Sequence, residues 1–381
     1  MFFYKYKFIK SNISIILIIL LFLVSCRAIY YNLPDLTDYK IFPYRRILAD
    51  TSKSFHFITP VINYNLGNTI RVNDKPLPTA VISLEQFIVQ TKTVAFIIIR
   101  NDTILYKKYT HGYCDSTIFN PMSITKAFLS ALVGIAIQEG YIKSDNQYIC
   151  DFLPELINRG FDSIKIKHLL KHTSGISYTE NNLNPFCDNT QYYYSENLRK
   201  KVFKHHIQYP PGTQYQYSSV NSELLGLILE RATKKTMSKY LETRIWRPIG
   251  MQYNALWSTD NNNENSIEKA FCCLNTTALD LAKFGRLYLK EGNWNGEQII
   301  NKEWVLQSTK RDTTDGSRWD YQYNFGVGPK LYESFFAVGL YGQLIYIYPK
   351  KNLIIIRICE STTKYNPPFI YYTITQIIDQ L

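Results

Sequence analysis

The sequence predicts an α/β protein of the α+β type, with one antiparallel sheet flanked by helices from both termini and an inserted all-helical lobe. Two pairs of apolar runs, at 94–110 and at 343–359, are each interrupted by two polar residues, as is typical of β-hairpins. Between them, from about 145 to 290, apolar residues recur with helical spacing. Strands from both ends of the folded part would therefore meet in one sheet, and a cleft beside the helical lobe would suit a ligand.

Each predicted element is bounded by polar turn residues. The first hairpin joins strands at 94–100 and 103–110, and the last joins strands at 343–349 and 352–359. A final amphipathic segment at 369–381 is expected to pack on the sheet as a helix. The remaining predicted elements are helices at 164–172, 219–233, 237–246 and 277–292 and an edge strand at 55–64.

The N-terminus is predicted to be an export signal followed by a lipid attachment site. Three lysines precede an apolar run at 13–24 that is too short to span a bilayer comfortably. The run ends in Leu23-Val24-Ser25-Cys26, which resembles a bacterial lipoprotein cleavage box. This resemblance implies a signal peptide at 1–25 and a lipid on Cys26, and hence an exported bacterial lipoprotein anchored on the periplasmic or cell-surface side of a membrane.

Two alternatives for this segment are an ordinary cleaved signal and an uncleaved anchor. Under the lipoprotein interpretation, residues 26–78 form a tether and lead-in, and residues 79–381 form the folded domain. The formal net charge of +12 falls to +9 when the three lysines of the signal are removed. Such a charge favours anionic lipid or glycan surfaces, and nucleic acid is not expected as a partner of an exported lipoprotein.

No metal and no organic cofactor are predicted. His168 and His172 are four residues apart, but no carboxylate lies between them as it does in an HExxH zinc motif. Both histidines are therefore expected to be structural. The cysteines show no disulfide framework, and the adjacent Cys272 and Cys273 would make an awkward pair.

Ser123 and Lys126 form the most informative motif in the chain. They are three residues apart at the start of an apolar segment, 124–139, that predicts a helix buried on nearly all sides. Residues at this spacing share a helix face, so the amine can take the proton of the hydroxyl. The alternative is a capping serine with a solvated lysine. A second Ser-x-x-Lys, at 361–364, is followed by prolines that disfavour the helix it would need.

A lysine can act as a base near neutral pH only if its pKa is lowered, by burial and a polar neighbour. Tyr217 is the best candidate for that neighbour, but the chain has 31 tyrosines and spacing alone does not select one. It lies in a proline- and glycine-containing turn, 210–219, that leads into the amphipathic helix predicted from Ser219.

Four segments in order, at 123–126, 168–176, 211–226 and 339–349, resemble the serine hydrolases of β-lactamase/transpeptidase-like fold. These segments read SITK, HLLKHTSGI, PGTQYQYSSVNSELLG and GLYGQLIYIYP. The family includes class C β-lactamases, D-Ala-D-Ala carboxypeptidases, related esterases and 6-aminohexanoate-dimer hydrolases. The resemblance runs from about residue 80 to the C-terminus.

The resemblance implies that Ser123 attacks a carbonyl, that Lys126 is its base and that Tyr217 carries the proton to the leaving group. It also implies an oxyanion hole made by the backbone amides of Ser123 and Leu340. The His-Thr-Ser-Gly segment at 172–175 corresponds to a signature that we expect to be structural. Substrate-binding positions implied in the same way are Ser219, Asn221, Ala337 and Gly339.

Two departures from the family pattern narrow the expected activity. Ala337 stands where penicillin-recognising members carry a cation for a substrate carboxylate, and Ser219 stands at the third position of Tyr-x-Asn. Asn221, two residues on, is the nearest amide. These departures favour the esterase and aminohexanoate-oligomer branches over the β-lactamase or D,D-carboxypeptidase alternative.

We therefore expect a lipid-anchored serine hydrolase that cleaves ester or amide bonds through an acyl-enzyme. Its substrate would be a small molecule or peptide-like, and selectivity would come from loops such as 177–196 and 311–334. The alternative from another class is a binding or sensing lipoprotein that keeps the fold without turnover.

Overall fold

The structure, a computed structural model, describes residues 34–61, 66–73, 80–181, 184–360 and 367–381. The 14 strands of these residues are β1 Tyr44–Ile47, β2 Arg71–Asn73, β3 Val81–Ser83, β4 Thr93–Arg100, β5 Thr103–Tyr109, β6 Ala255–Ser258, β7 Leu274–Asn275, β8 Asn293–Trp294, β9 Glu297–Gln298, β10 Tyr321–Gln322, β11 Phe325–Val327, β12 Phe335–Gly339, β13 Gln343–Tyr348 and β14 Leu353–Cys359. Seven of them form the main element, an antiparallel sheet with strand order β10-β11-β12-β13-β14-β4-β5.

Eleven α-helices lie in the described residues. In chain order they are α1 Leu66–Thr69, α2 Leu84–Gln90, α3 Thr125–Gln138, α4 Ile166–Leu170, α5 Asp188–Tyr193, α6 Leu198–Val202, α7 Ser219–Thr233, α8 Met237–Leu241, α9 Ala278–Leu289, α10 Lys302–Thr309 and α11 Pro367–Gln380. None of the helices in these described segments is long and apolar enough to cross a membrane.

The two predicted hairpins meet in the main sheet, as expected. β14 pairs antiparallel with β4, with Ile356 opposite Ile97. Helices cover both faces of the sheet: Ile97 and Ile99 belong to the core shared with α3 and α9, whereas Phe96 and Ile98 belong to the core shared with α2 and α11. This double burial explains why β4 is apolar almost without interruption rather than alternating.

The inserted region is not purely helical, which corrects the prediction of an all-helical lobe. It contains the short strands β6 and β7, which form a three-stranded sheet with β1. Leu256 in β6 pairs with Arg46 in β1, more than two hundred residues away. Strands this short carry little periodicity, and a partner so distant in sequence leaves no local signal.

The lead-in packs on the body from its first described residues. β1 belongs to it, and the Tyr193 hydroxyl donates to the carbonyl of Asp35 at 3.1 Å. The edge strand predicted at 55–64 is reduced, in its described part, to one isolated bridge between Ile58 and Thr103. The predicted signal peptide, Cys26 and the Ser-x-x-Lys at 361–364 lie outside the described residues, and the boundary between 78 and 79 stays a prediction.

Candidate active site

Ser123 lies in a single 3-10 turn, Met122–Ile124, that leads directly into α3. The backbone of Met122 is left-handed, with φ of 52°, and its N–H donates to the side chain of Asn120 at 3.0 Å. Helix α3 is buried from Thr125 to Ala136. A helix enclosed on all sides is held rigidly, so it fixes the position of the turn at its start.

Lys126 is the buried side chain that faces the serine. It is 1% exposed, and its Nζ lies 3.0 Å from Oγ of Ser123 and donates to the carbonyl of Phe271 at 2.8 Å. Burial lowers the pKa of Lys126 to about 8, against an opposing effect of the Glu180 charge. The alternative of a capping serine with a solvated lysine is therefore wrong: Lys126 is buried, and no side chain caps the start of α3.

Tyr217 completes the group. Its ring centroid lies 5.0 Å from Nζ of Lys126, and its hydroxyl interacts with the side chain of Ser123. Burial raises the pKa of this phenol, and the Glu180 charge raises it further. The structure thus brings together the three side chains that sequence reasoning selected, from segments almost one hundred residues apart.

His172 supports Tyr217 from behind. The two rings stack with centroids 4.6 Å apart, and Nδ1 of His172 accepts from the N–H of Ser218 at 3.0 Å. Burial lowers the pKa of His172 to about 3, so the ring stays neutral. His168 accepts from the N–H of Lys165 at 3.2 Å, and both histidines therefore have structural contacts.

Asn221 does not reach the substrate side of the site, which corrects its prediction as a substrate-binding residue. It is fully buried in the first turn of α7. Its Oδ1 accepts from Ser174 Oγ at 2.6 Å, and its Nδ2 lies 3.2 Å from Nδ1 of His172. The amide therefore joins the helix to the His-Thr-Ser-Gly segment instead of facing a ligand.

The end of β12 lies against the turn that carries the nucleophile. Gly339 and Leu340 line the same cavity as Ser123, and the carbonyl of Gly342, just beyond, accepts from buried Arg357 at 2.6 Å. Ala337, in contrast, is 2% exposed, belongs to the core and does not line the cavity. Its prediction as a substrate-binding residue is corrected, because alternation along β12 turns the short side chain inward while Val338 faces the cavity.

The cavity around Ser123 has a volume of about 460 Å³. Ser219, predicted from the sequence, lines it. So does Glu180, which sequence reasoning missed: its carboxylate accepts from the N–H and the hydroxyl of Ser219, both at 3.0 Å. Burial raises the pKa of Glu180. The residue lies in an irregular loop, where no periodicity or turn motif could have indicated it.

Cys272 and Cys273 form a disulfide, which corrects the prediction that they make an unsuitable pair. Their Cα atoms are 3.8 Å apart, closer than in most disulfides, and the backbone of Cys273 is left-handed with φ of 69°. Cys272 lines the cavity. The disulfide directly follows Phe271, whose carbonyl accepts from Lys126.

This arrangement has the components of acyl transfer. A partly buried serine lines the cavity, a buried amine of lowered pKa lies at hydrogen-bond distance from its hydroxyl, and a phenol lies beside both. Ser123, in the turn before a helix, and Leu340, just after the end of a strand, line the same cavity.

Known proteins that resemble this chain include hydrolases, which agrees with the chemistry of the site. A model of the Beta-lactamase family matches residues 83–368. The chain is 24% identical over 302 residues to a 6-aminohexanoate-dimer hydrolase of Paenarthrobacter ureafaciens, covering 74% of this chain and 76% of that protein. It is 26% identical over 178 residues to esterase EstB of Burkholderia gladioli, covering 41% of this chain and 45% of the esterase.

A solved structure from Bacillus anthracis, assigned as a 6-aminohexanoate-dimer hydrolase, has the same fold. It superposes with a TM-score of 0.79 at 23% identity and covers 91% of this chain and 92% of its own. Because the family model spans well over half of the sequence, and the relatives are hydrolases, the chain belongs to the beta-lactamase family and is a serine hydrolase of that family.

Proposed function

We propose that this protein hydrolyses ester or amide bonds through an acyl-enzyme on Ser123, with Lys126 as the base and Tyr217 in proton transfer. The observation that carries the proposal is the Lys126 amine. It lies 3.0 Å from the serine hydroxyl, and burial lowers its pKa to about 8. A lysine in water has a pKa near 10.4, so burial greatly increases the fraction in the neutral form that can accept a proton.

The proposed reaction has two halves. In the first, Lys126 takes the proton of Ser123, Oγ bonds to the substrate carbonyl carbon, and the bond to the leaving group breaks as that group receives the proton by way of Tyr217. In the second half, water gives one proton to the same pair and its oxygen bonds to the acyl carbon. The bond between that carbon and Oγ then breaks as the pair returns the proton to Oγ, which releases the acid and restores the serine hydroxyl.

The backbone amides of Ser123 and Leu340 are proposed to stabilise the negative oxygen of both tetrahedral intermediates. Leu340 lines the cavity with Ser123 in support of this role. A donor of this kind contributes about 3 kcal/mol to transition-state stabilisation.

Incubation with 4-nitrophenyl acetate and a fluorophosphonate probe tests the proposal. We expect turnover of the ester and a covalent label on Ser123, with neither in Ser123→Ala. The exposed serine variant Ser116→Ala is the matched control and should behave as the wild type. Absence of both turnover and label in folded wild-type protein would contradict the proposal.

The same experiment distinguishes the alternatives. A stable adduct on Ser123 without measurable deacylation would instead indicate a binding or sensing protein. Nitrocefin hydrolysis comparable with ester hydrolysis would indicate a β-lactamase. We expect nitrocefin to be a poor substrate, because Ala337 supplies no cation and does not line the cavity.

We also propose that the protein is anchored to a membrane through lipid on Cys26. The lysines, apolar run and Leu23-Val24-Ser25-Cys26 segment support this. Pro34 lines the active-site cavity only eight residues after Cys26. An extended chain of that length spans at most about 28 Å, so an anchored enzyme would hold its cavity near the membrane surface.

Metabolic labelling with a palmitate analogue tests the anchor in the full-length chain. The wild type should carry the label and sediment with membranes, whereas Cys26→Ser should carry none. Cys114→Ser, at an exposed cysteine of the body, is the control and should keep the label. Equal labelling of the wild type and Cys26→Ser would contradict lipidation at Cys26.

A further inference from the structure

Glu180 is a carboxylate that lines the active-site cavity and forms no ion pair with the described residues. Both of its oxygens accept hydrogen bonds from Ser219. Desolvating a carboxylate without a paired charge is costly, and such groups are therefore concentrated at functional sites.

The other charged side chains described at the cavity form no ion pair with Glu180. At the mouth, Arg318 and Asp320 pair with each other, with Nε of the arginine donating to Oδ1 at 2.8 Å. Lys126 is the remaining nearby cation. Its charge lowers the pKa of Glu180, but its amine makes its hydrogen bonds to Ser123 and to the carbonyl of Phe271. When Lys126 is neutral, as its role as a base requires, the Glu180 charge has no counterpart.

Tyrosine rings form the wall next to this carboxylate. The rings of Tyr215 and Tyr321 have centroids 5.5 Å apart, and those of Tyr217 and Tyr321 are 5.9 Å apart. All three line the cavity with Glu180. Burial raises the pKa of each phenol, and the charge of Glu180 adds to each rise. The phenols therefore stay protonated. Arg318 lies over the ring of Tyr215 and Lys126 over the ring of Tyr217, each 5.0 Å from the centroid, so these rings do attract cations.

A carboxylate beside several aromatic rings is an arrangement that binds ammonium groups. We infer that Glu180 is a specificity-determining residue that receives an ammonium group of the substrate, so that the preferred esters or amides are cationic. This inference rests on the proposed hydrolysis at Ser123. A substrate cation in this position would supply the missing countercharge when the base is neutral.

Two pairs of esters, matched in shape and differing in charge, test the inference. On the acyl side, 4-nitrophenyl β-alaninate is compared with 4-nitrophenyl butanoate; on the alcohol side, acetylcholine is compared with 3,3-dimethylbutyl acetate. Each kcat/KM is divided by the rate of spontaneous hydrolysis of the same ester. In at least one pair, we expect the wild type to prefer the cationic ester by about tenfold or more.

Glu180→Gln keeps the shape and an acceptor for Ser219 but removes the charge. It should lower the ratio of cationic to neutral kcat/KM by about tenfold or more. The control Glu297→Gln, at an exposed position of β9, loses the same charge and should keep the wild-type ratio.

Failure of this inference is distinct from failure of the proposed function. Turnover of both members of each pair with no preference in the wild type, or a ratio unchanged in Glu180→Gln, would overturn the role of Glu180 and leave hydrolysis at Ser123 intact. No turnover of any ester and no label on Ser123 would remove the proposed function, and the inference with it. The wild-type comparison needs no variant and stands even if Glu180→Gln does not fold.

Discussion

The carbonyl oxygen of Pro121 occupies the space that a side chain on residue 339 would need. A β-carbon built on Gly339 would lie 2.2 Å from that oxygen and 3.1 Å from Cβ of Met122. The backbone of Gly339 is extended, with φ of −111°, so its conformation alone would permit any residue. The glycine is required because the end of β12 approaches the turn that carries Ser123.

Gly339→Ala should therefore move β12 away from the nucleophile. We expect a loss of about 1–3 kcal/mol in the free energy of unfolding and a clear fall in kcat for 4-nitrophenyl acetate. Gly112→Ala, where the added β-carbon meets nothing within 4 Å, should lower stability only modestly through its positive φ and should keep kcat. A wild-type kcat in Gly339→Ala would show that activity does not depend on the close contact between the end of β12 and the turn that carries Ser123.

Removal of the Ser123 hydroxyl or of the Lys126 amine should abolish activity without unfolding the protein. Ser123→Ala and Lys126→Met should each lower kcat/KM by about 10³-fold or more, because the nucleophile and its base act as one unit. Methionine retains most of the apolar volume of the lysine, so the melting temperature should change little. Ester kinetics check the loss of activity, and thermal unfolding followed by circular dichroism checks that stability is kept. A variant that unfolds cooperatively but keeps wild-type kinetics would refute the role of its residue as nucleophile or base.

Tyr217→Phe isolates the phenolic hydroxyl. The phenylalanine ring can still stack on His172, so we expect stability close to that of the wild type. Loss of the proton-transfer group should lower kcat by about 10²-fold or more. The effect should be larger for anilide substrates than for 4-nitrophenyl esters, since an amine leaving group needs a proton and 4-nitrophenolate does not. Equal effects on both would exclude the tyrosine as the proton carrier.

The pH dependence of activity should report the Lys126 amine. The base must be neutral, so kcat/KM for a neutral ester should rise with pH and level off above the pKa of about 8. The negative charge of Glu180 raises the pKa of Lys126, and Glu180→Gln should therefore move the acidic limb to lower pH. A limb that stays in place or moves to higher pH would contradict this electrostatic coupling.

Much of the site was predictable because its chemistry is tied to local sequence signals. Ser123 and Lys126 lie at the start of an apolar helix. Tyr217 follows a turn of proline and glycine just before another helix, but among 31 tyrosines it was the resemblance of 211–226 to the family that singled it out. A helix start and a turn containing proline and glycine both restrict the backbone, and therefore the directions in which their side chains can extend. The two terminal hairpins were predictable for the same reason, since their apolar runs and short polar turns lie next to each other in sequence.

The parts that sequence reasoning missed depend on contacts between distant residues. Asn221 is adjacent to the family motif, but its partners, Ser174 and His172, lie almost fifty residues away in sequence. Contacts with these partners hold the Asn221 amide away from the cavity. Glu180 gains its position from Ser219, across a loop without a regular pattern. β1 pairs with a strand more than two hundred residues downstream, so nothing local marks it as part of a sheet.

The most direct test of the central claim is the mass of the acyl-enzyme. Wild-type protein mixed with 4-nitrophenyl acetate and quenched in acid within the first turnovers should show one added acetyl group, located by peptide mapping on Ser123. Ser123→Ala should show none. An acetyl group on another residue, or rapid ester turnover by Ser123→Ala, would contradict the mechanism.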